Sequence, residues 1–518
     1  GGFGTTSCGG GSLGVMISWS CLGCAGCGGG FGAGGRGAAG TSGSANTGGG
    51  GGAGGHDNSG NYAGGNGGSG IVIVRYLGVD AGAGGTESVG TGTATGYSLH
   101  TFTTTGTTTL TLDALAAKLS GNITGANRLT INATPGTLTL SGTNTYSGGT
   151  TVSGGTVIAG LASTGSVTNG PFGTGTVTVQ SGATVDLKGY AVGNNFNLSG
   201  VGIGSNGALI NSTSTAITLT GAVTLAADTT ISSTGDLTLS GAITSATFGL
   251  ALKNGGNYTL SNTSNDLSTI AATGISSLTV TNNSTLTVGT VNTIAGISSA
   301  GAIALSSNAI VFNGNLTVAT STTDGISLLS KSHFTNSSAT TINTQGGDLI
   351  IAANIDDATD GDTTTNGYVS FREGLTVNTR GGDITIGGGN ASASSYALGS
   401  SATGWTEGVR IDTVLSLVSG GGNISIKGKS YAASVGTSTG GAGFGIYYLT
   451  SAGSINSGTG TIYIEGYSQT TNTSTYGSGL LFALNNSYTT TITSANTTAD
   501  AIKLLGIATG TGGDTWGM

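Results

Sequence analysis

Of 518 residues, 104 are glycine and two are proline, while 13 are Lys or Arg and 21 are Asp or Glu, for a formal net charge of −8. Basic residues scattered singly cannot neutralise a run of phosphates or seat a basic helix on a membrane surface, which excludes a nucleic-acid binder and an interfacial membrane helix. A hydrophobic share of 36% is too high for charged disorder and suits a thin, continuous core.

Residues 1–77 form a glycine-rich, cysteine-containing segment. Runs such as Gly48 to Gly52 cannot hold a helix, because glycine loses too much backbone entropy there, so a flexible linker or stacked extended glycine strands are the two readings. All four cysteines, Cys8, Cys21, Cys24 and Cys27, lie here. Disulfides, free or intermolecular thiols and a metal site are all open to them; the even count favours disulfides, since a thiolate metal site needs a more rigid frame than this glycine-rich run. The segment closes on a β-branched strand, Ile71, Val72, Ile73 and Val74, which could also reach a neighbouring subunit by strand addition. No stretch approaches the roughly 20 apolar residues of a membrane-spanning helix.

Residues 78–134 read as a junction. Tyr97–Thr103 and Thr107–Leu112 are predicted strands, and Asp113–Leu119 is the one short helix candidate, with Asp113 as its cap. Residues 135–518 then change texture. Short strands alternate apolar with Thr or Ser and end on Gly, Asn or Asp, as in Thr137–Leu140, Thr176–Val179, Asp236–Leu239, Asp383–Ile386, Asn423–Ile426 and Thr461–Ile464. A period of two turns one face inward. The inward residues are expected to include Leu138, Val157, Val177, Leu237, Ile384, Ile424 and Ile462.

Spacing fixes the architecture. Leu138 to Val157 is 19 residues, Val157 to Val177 is 20 and Leu260 to Leu278 is 18, whereas Leu349 to Ile384 is 35, Ile384 to Ile424 is 40 and Ile424 to Ile462 is 38. With the long intervals taken as two coils each, a period near 20 predicts an all-β parallel β-solenoid in which each coil buries its apolar side chains against its neighbours. At about 4.8 Å per coil the rod would be on the order of 90 Å long. A β-sandwich would instead show hairpins every 8–12 residues or so.

Gly136 to Val157, containing Asn144-Thr145-Tyr146-Ser147-Gly148-Gly149-Thr150, closely resembles the passenger-associated repeat of autotransporter proteins. Leu138, Leu140, Val152 and Val157 would line one coil, with Gly148-Gly149 and Gly154-Gly155 at its corners. Gly346-Gly347-Asp348-Leu349-Ile350-Ile351 and Gly381-Gly382-Asp383-Ile384-Thr385-Ile386 are similar in texture to filamentous-haemagglutinin-type adhesins. These resemblances imply a right-handed parallel β-helix outside a bacterial cell. They imply an adhesin or rod-like spacer for cell–cell or cell–surface attachment, as in biofilms, with glycan or protein surface ligands as partners. The alternative is a self-assembling subunit of an extracellular filament or sheath, joined to copies of itself through its N-terminal strand. Ser69–Tyr76 and Leu99–Gly106 resemble the closing and opening strands of glycine-rich modules in phage fibres and bacterial surface proteins. They occur here in reversed order, as in a module cut at its start or completed by another chain.

Chemistry-bearing residues are sparse. His56, His100 and His333 lack acids at useful spacing, and Arg372 and Glu373 could pair without marking a catalytic centre, so the sequence reads as non-enzymatic, with no cofactor. The acidic run Asp356, Asp357, Asp360 and Asp362 is a calcium candidate, although Ala358 interrupts its ligand spacing. Trp405, Tyr447, Tyr448, Tyr467 and Tyr476 are the candidate ligand contacts, because aromatic rings stack on sugars and proteins alike.

Overall fold

The structure, a computed structural model, describes residues 116–518 apart from 165, 321–322, 356–366, 389–394, 401–405, 432–442, 450–451, 470–476, 484–488, 510–514 and 517–518. Before residue 116 it describes 39, 41–42, 56–57, 60–66, 72–77, 82–83, 85–89, 97–102 and 108–112. The chain divides into two compact units, residues 1–213 with 217–221, and residues 214–216 with 222–518. The fold is an all-β, right-handed parallel β-helix.

In the first unit, parallel stacking already includes Thr108–Leu112 and Ala116–Leu119, both N-terminal to residue 135. Residues 116–119, given to a helix by the sequence, are a strand in register with Thr137–Leu140. The reason is packing: Ala117 and Leu119 are buried while Ala116 and Lys118 are exposed, a period of two that a helix would scramble. Leu129–Leu140 and Thr150–Ala159 are successive strands, with Ile131 beside Val152 and Leu138 beside Val157. Leu138 and Leu140 therefore line one coil, and Val152 and Val157 the next. Val179 and Val185 continue the two columns above Val152 and Val157.

Val72–Leu77 pairs antiparallel with Tyr97–Phe102, which also pairs with Thr86–Val89. The two strands with reversed module order thus complete each other within one chain. Cys8, Cys21, Cys24, Cys27 and Ile71 lie outside the described residues.

The second unit has three faces. On face A, one inward column runs Leu237, Tyr258, Leu278, Ile303, Ile326, Leu349, Ile384, Ile424, Ile462 and Ile502, each in register with the next. Face B stacks Leu286, Ile310, Phe334, Val369, Val409, Ile446 and Leu480. Face C stacks Ile342, Val377, Leu417, Ile455 and Ile492. All seven residues expected to face inward are buried.

The long intervals are single coils. Between Ile384 and Ile424 the chain visits face B at Val409–Ile411 and face C at Leu415–Val418 before returning to face A. Leu349 to Ile502 therefore climbs four steps, about 19 Å, about half of what a 20-residue period would give. The extra residues enter between face A and face B in coil after coil, at 354–368, 389–408, 430–445 and 469–479.

The corner from face C to face A is built from a buried hydroxyl and glycines. Thr379 Oγ1 donates to Gly382 O (2.5 Å), Ser419 Oγ to Gly422 O (2.5 Å) and Ser457 Oγ to Gly460 O (2.7 Å), and Thr344 makes the same bond to Gly347. Gly346, Gly381 and Gly421 have φ of 122°, 123° and 135°, which only glycine adopts without strain. Outside these hydroxyls, the Asp348 carboxylate accepts from Asp383 N–H (2.8 Å) and the Asp383 carboxylate from Asn423 N–H (2.6 Å), tying coil to coil. The Gly-Gly-Asp/Asn texture of the sequence is this corner.

Candidate ligand-binding face

The outer side of face A changes character along the second unit. One outward column reads Thr259, Thr279, Ala304, Ser327, Ile350, Thr385, Ser425, Tyr463 and Lys503. Small or apolar residues give way to large ionisable ones over the strands Ile424–Lys429, Ile462–Ser468 and Ile502–Ala508. A second column carries Lys427 beside Glu465, and a third carries Lys429 beside Tyr467. Ala397–Leu398 pairs with Gly428–Lys429 and so brings Tyr396 to this face.

Glu465 is the hub. It is only 6% exposed although it points away from the core. Tyr396 Oη donates to its Oε1 and Tyr463 Oη to its Oε2, each at 2.7 Å, and Lys427 Nζ lies 3.5 Å from Oε2. Burial pushes the carboxyl up, but the two phenol hydrogen bonds and the Lys427 charge outweigh it and hold Glu465 below its ordinary value. Burial, with the neighbouring Glu465 charge, pushes the Tyr463 phenol up to about 12. The Tyr463 ring lies between two ammonium groups, Lys427 at 5.2 Å and Lys503 at 5.4 Å, and Lys429 lies 5.6 Å from the Tyr467 ring.

A second cluster occupies the outer side of face B. Arg410 Nε donates to both Asp412 oxygens (2.7 and 2.9 Å) and its Nη1 to Glu407 Oε1 (3.4 Å). The guanidinium lies 5.5 Å from the Tyr447 ring, which stacks on Phe444 at 4.8 Å. Burial pushes the Glu407 carboxyl up, partly opposed by Arg410.

Of the ligand contacts expected from sequence, Tyr447 and Tyr467 stand on outer faces. Tyr448 does not: it is 1% exposed, packs inward against Phe482 in a tilted pair with centroids 5.6 Å apart, and is core. Trp405, Tyr476 and the acidic run Asp356, Asp357, Asp360 and Asp362 lie outside the described residues. Among the described residues no group of three or more His, Cys, Asp or Glu could hold a metal ion, and no helix is long and apolar enough to cross a membrane. His333 stacks on Tyr368 at 5.2 Å, and burial lowers its pKa. The Arg372–Glu373 turn is held through its backbone by Asn336, whose Oδ1 accepts from Arg372 N–H (2.8 Å). Tyr396, Lys427, Lys429, Tyr463, Glu465 and Lys503 were not singled out from sequence. Aligning Ile424-Ser425-Ile426-Lys427-Gly428-Lys429 with Ile462-Tyr463-Ile464-Glu465-Gly466-Tyr467 on their glycines brings most of them together.

Residues 135–159 match the family model of the passenger-associated-transport-repeat, a repeat of autotransporter passenger domains, which are secreted surface proteins. No curated protein and no solved structure matches the chain. The matched segment is scaffold. Asn144 Oδ1 accepts from Ile123 N–H (2.7 Å) while its Nδ2 donates to Pro171 O (2.6 Å). Thr150 Oγ1 donates to Phe172 O (2.9 Å), so the Tyr146 hydroxyl must be the donor in their 2.5 Å contact. Gly149 and Gly155 have φ of 86° and 74°. Asn144, Tyr146, Thr150 and the two glycines serve to turn the chain from one coil into the next and to seal that corner.

Proposed function

We propose that the chain is an adhesin of the bacterial cell surface, of the autotransporter-passenger type, which attaches cells to surfaces or to one another and has no enzymatic role. The passenger-associated repeat, folded as part of a parallel β-helix, is the observation that carries this reading. The β-helix supplies a stiff scaffold, and the aromatic and cationic outer side of face A in the second unit suits a ligand. Both oxygens of Glu465 and of Asp412 are engaged by Tyr, Lys or Arg, while Glu407 reaches Arg410 through Oε1 and its buried Oε2 has no hydrogen-bond partner among the described residues, so most of this charge is held in fixed pairs that suit a recognition surface.

The test is attachment. Purified chain, and cells displaying it, should bind host-cell monolayers, abiotic surfaces or a glycan array above an empty control. Absence of attachment to all of them would overturn the reading. A filament-subunit role is the second reading, and one observation favours it. Val72–Leu77 is the outer strand of its three-stranded sheet, leaving one edge without a strand partner among the described residues. Electron microscopy of the chain with and without residues 1–80 separates the two: fibres that need those residues favour assembly.

A further inference from the structure

We propose that the outer side of face A across Ile424–Lys429, Ile462–Ser468 and Ile502–Ala508 binds a carboxylated polysaccharide. The proposal rests on the adhesin reading and names its ligand class.

The residues are not there for the fold. The same outward column is filled by Thr259, Thr279, Ala304 and Ser327 in earlier coils, and those coils pair in the same register. A sheet face therefore needs no tyrosine or lysine at this position. Three lysines nevertheless stand on the two strands that flank Ile462–Ser468, Lys427 and Lys429 on one and Lys503 on the other, in a chain whose Lys and Arg total 13 over 518 residues and whose net charge is −8. The one acid among them, Glu465, has both oxygens and its charge engaged by Tyr396, Tyr463 and Lys427. The patch is locally cationic on an acidic protein, and an incoming anion meets no open carboxylate within it.

Geometry selects a sugar polymer. Tyr463 and Tyr467 are four residues apart on one strand, about 13 Å, and both side chains are partly exposed. Hydrogen bonding to Glu465 fixes the Tyr463 ring before any ligand arrives, and so removes ordering entropy from the cost of binding. Tyr463, with its ring between Lys427 and Lys503, holds those ammonium groups in place, and the partly exposed Tyr467 ring is the apolar platform for the C–H face of a pyranose unit. Lys503 is exposed beside Tyr463, and Lys429 stands beside Tyr467, so ammonium groups are spaced along the patch for carboxylates of the bound polymer. Ser425, Thr461 and Thr509 add hydroxyls around the patch. Repetition along the strand suits a ligand that itself repeats.

The test uses the full chain and immobilised polygalacturonate, alginate, hyaluronate and polysialic acid, each alongside its methyl-esterified form. At least one acid polymer should bind, weaken with rising salt, and lose its hold when the carboxylates are esterified. Lys429→Ala with Lys503→Ala should weaken binding by about tenfold or more, as should Tyr467→Ala, with unchanged thermal melting. Lys331→Ala, on another part of the unit, should leave binding unchanged. Equal binding of acid and ester, or a double-lysine variant that binds like the parent, overturns the proposal. If no acid polymer binds but cells still attach, this ligand is refuted and the adhesin reading stands; if attachment is also absent, both fall. Self-association of the chain that is lost in the double-lysine variant, without polymer binding, overturns it in favour of a second copy as the occupant.

Discussion

Ile424→Ala tests the stacked core most directly. Ile424 is 1% exposed and sits in register between Ile384 below and Ile462 above, both fully buried. The substitution removes three carbons. At about 0.8 kcal/mol per buried methylene, transfer alone costs about 2.4 kcal/mol, and a cavity closed by rigid strands on both sides brings the total to about 3 kcal/mol or more. Ser425, the next residue, points outward, and Ser425→Ala should cost less than about 0.5 kcal/mol. In a solenoid the loss falls on two nearest-neighbour interfaces rather than on the whole chain, so one melting temperature would blur it. Hydrogen exchange resolves it. Amides of Ile384–Gly388 and Ile462–Ser468 should exchange on the order of 100-fold faster in Ile424→Ala, and amides of the first unit should be unchanged. Equal effects from Ile424→Ala and Ser425→Ala, or a loss below about 1 kcal/mol for Ile424→Ala, would refute the inward stack.

Gly381→Ala should destabilise the second unit by about 1–2 kcal/mol through backbone strain alone, since φ is 123° and an added methyl meets no atom within 4 Å; denaturant titration reads it, and an unchanged midpoint would mean that the corner relaxes freely. Glu465 has a folded-state pKa below the ordinary 4.5. Its contribution is full above pH 4.5 and is lost as pH falls through the lowered value, because the unfolded chain then binds the proton more readily. Parent protein should lose thermal stability below pH 4.5 more steeply than Glu465→Gln, and superimposable acid limbs would remove Glu465 from the account.

The fold was legible because its two periods are simple. Alternation in Asp383–Ile386 or Thr461–Ile464 shows which side chains enter the core, and the 18- to 20-residue intervals give the approximate size of a coil, although of these only Leu138 to Val157 is an in-register step, Val177 pairing with Thr150 and Leu278 with Tyr258. The 35- to 40-residue intervals misled because Val409-Arg410-Ile411 and Leu415-Ser416-Leu417 look like an additional coil when they are the second and third faces of the same one. Sequence registers a strand without registering its face, and only pairing across 40 residues separates one large coil from two small ones. The 116–119 helix failed for a related reason. Ala116-Ala117-Lys118-Leu119 has helical propensity, but two turns are marginal alone, and burial of Ala117 and Leu119 against the coil above decides the outcome.

The face fared worse than the fold, and the solenoid itself explains why. In a compact enzyme, a site often announces itself as a local motif. Here each strand contributes one or two outward side chains, and the cluster exists only after three strands are stacked in register. Lys427 meets Glu465 at a separation of 38 residues, and Tyr463 meets Lys503 at 40. Tyr396 reaches Glu465 across 69 residues, from a segment that returns to face A after an insertion. Aromatic richness alone pointed to the neighbourhood, but it could not separate Tyr447 from Tyr448, adjacent residues that a period of two sends to opposite sides of the sheet. The local signal that was strongest, Asn144 to Thr150, marks a coil-turning device whose Asn144, Tyr146 and Thr150 side chains are buried. In such a scaffold a conspicuous motif belongs to the architecture, which every coil must repeat, and recognition resides where a repeat departs from its neighbours. The change from Thr259, Thr279, Ala304 and Ser327 to Tyr463 and Lys503 in a single column is such a departure, and it becomes visible once the coils are aligned by their inward residues.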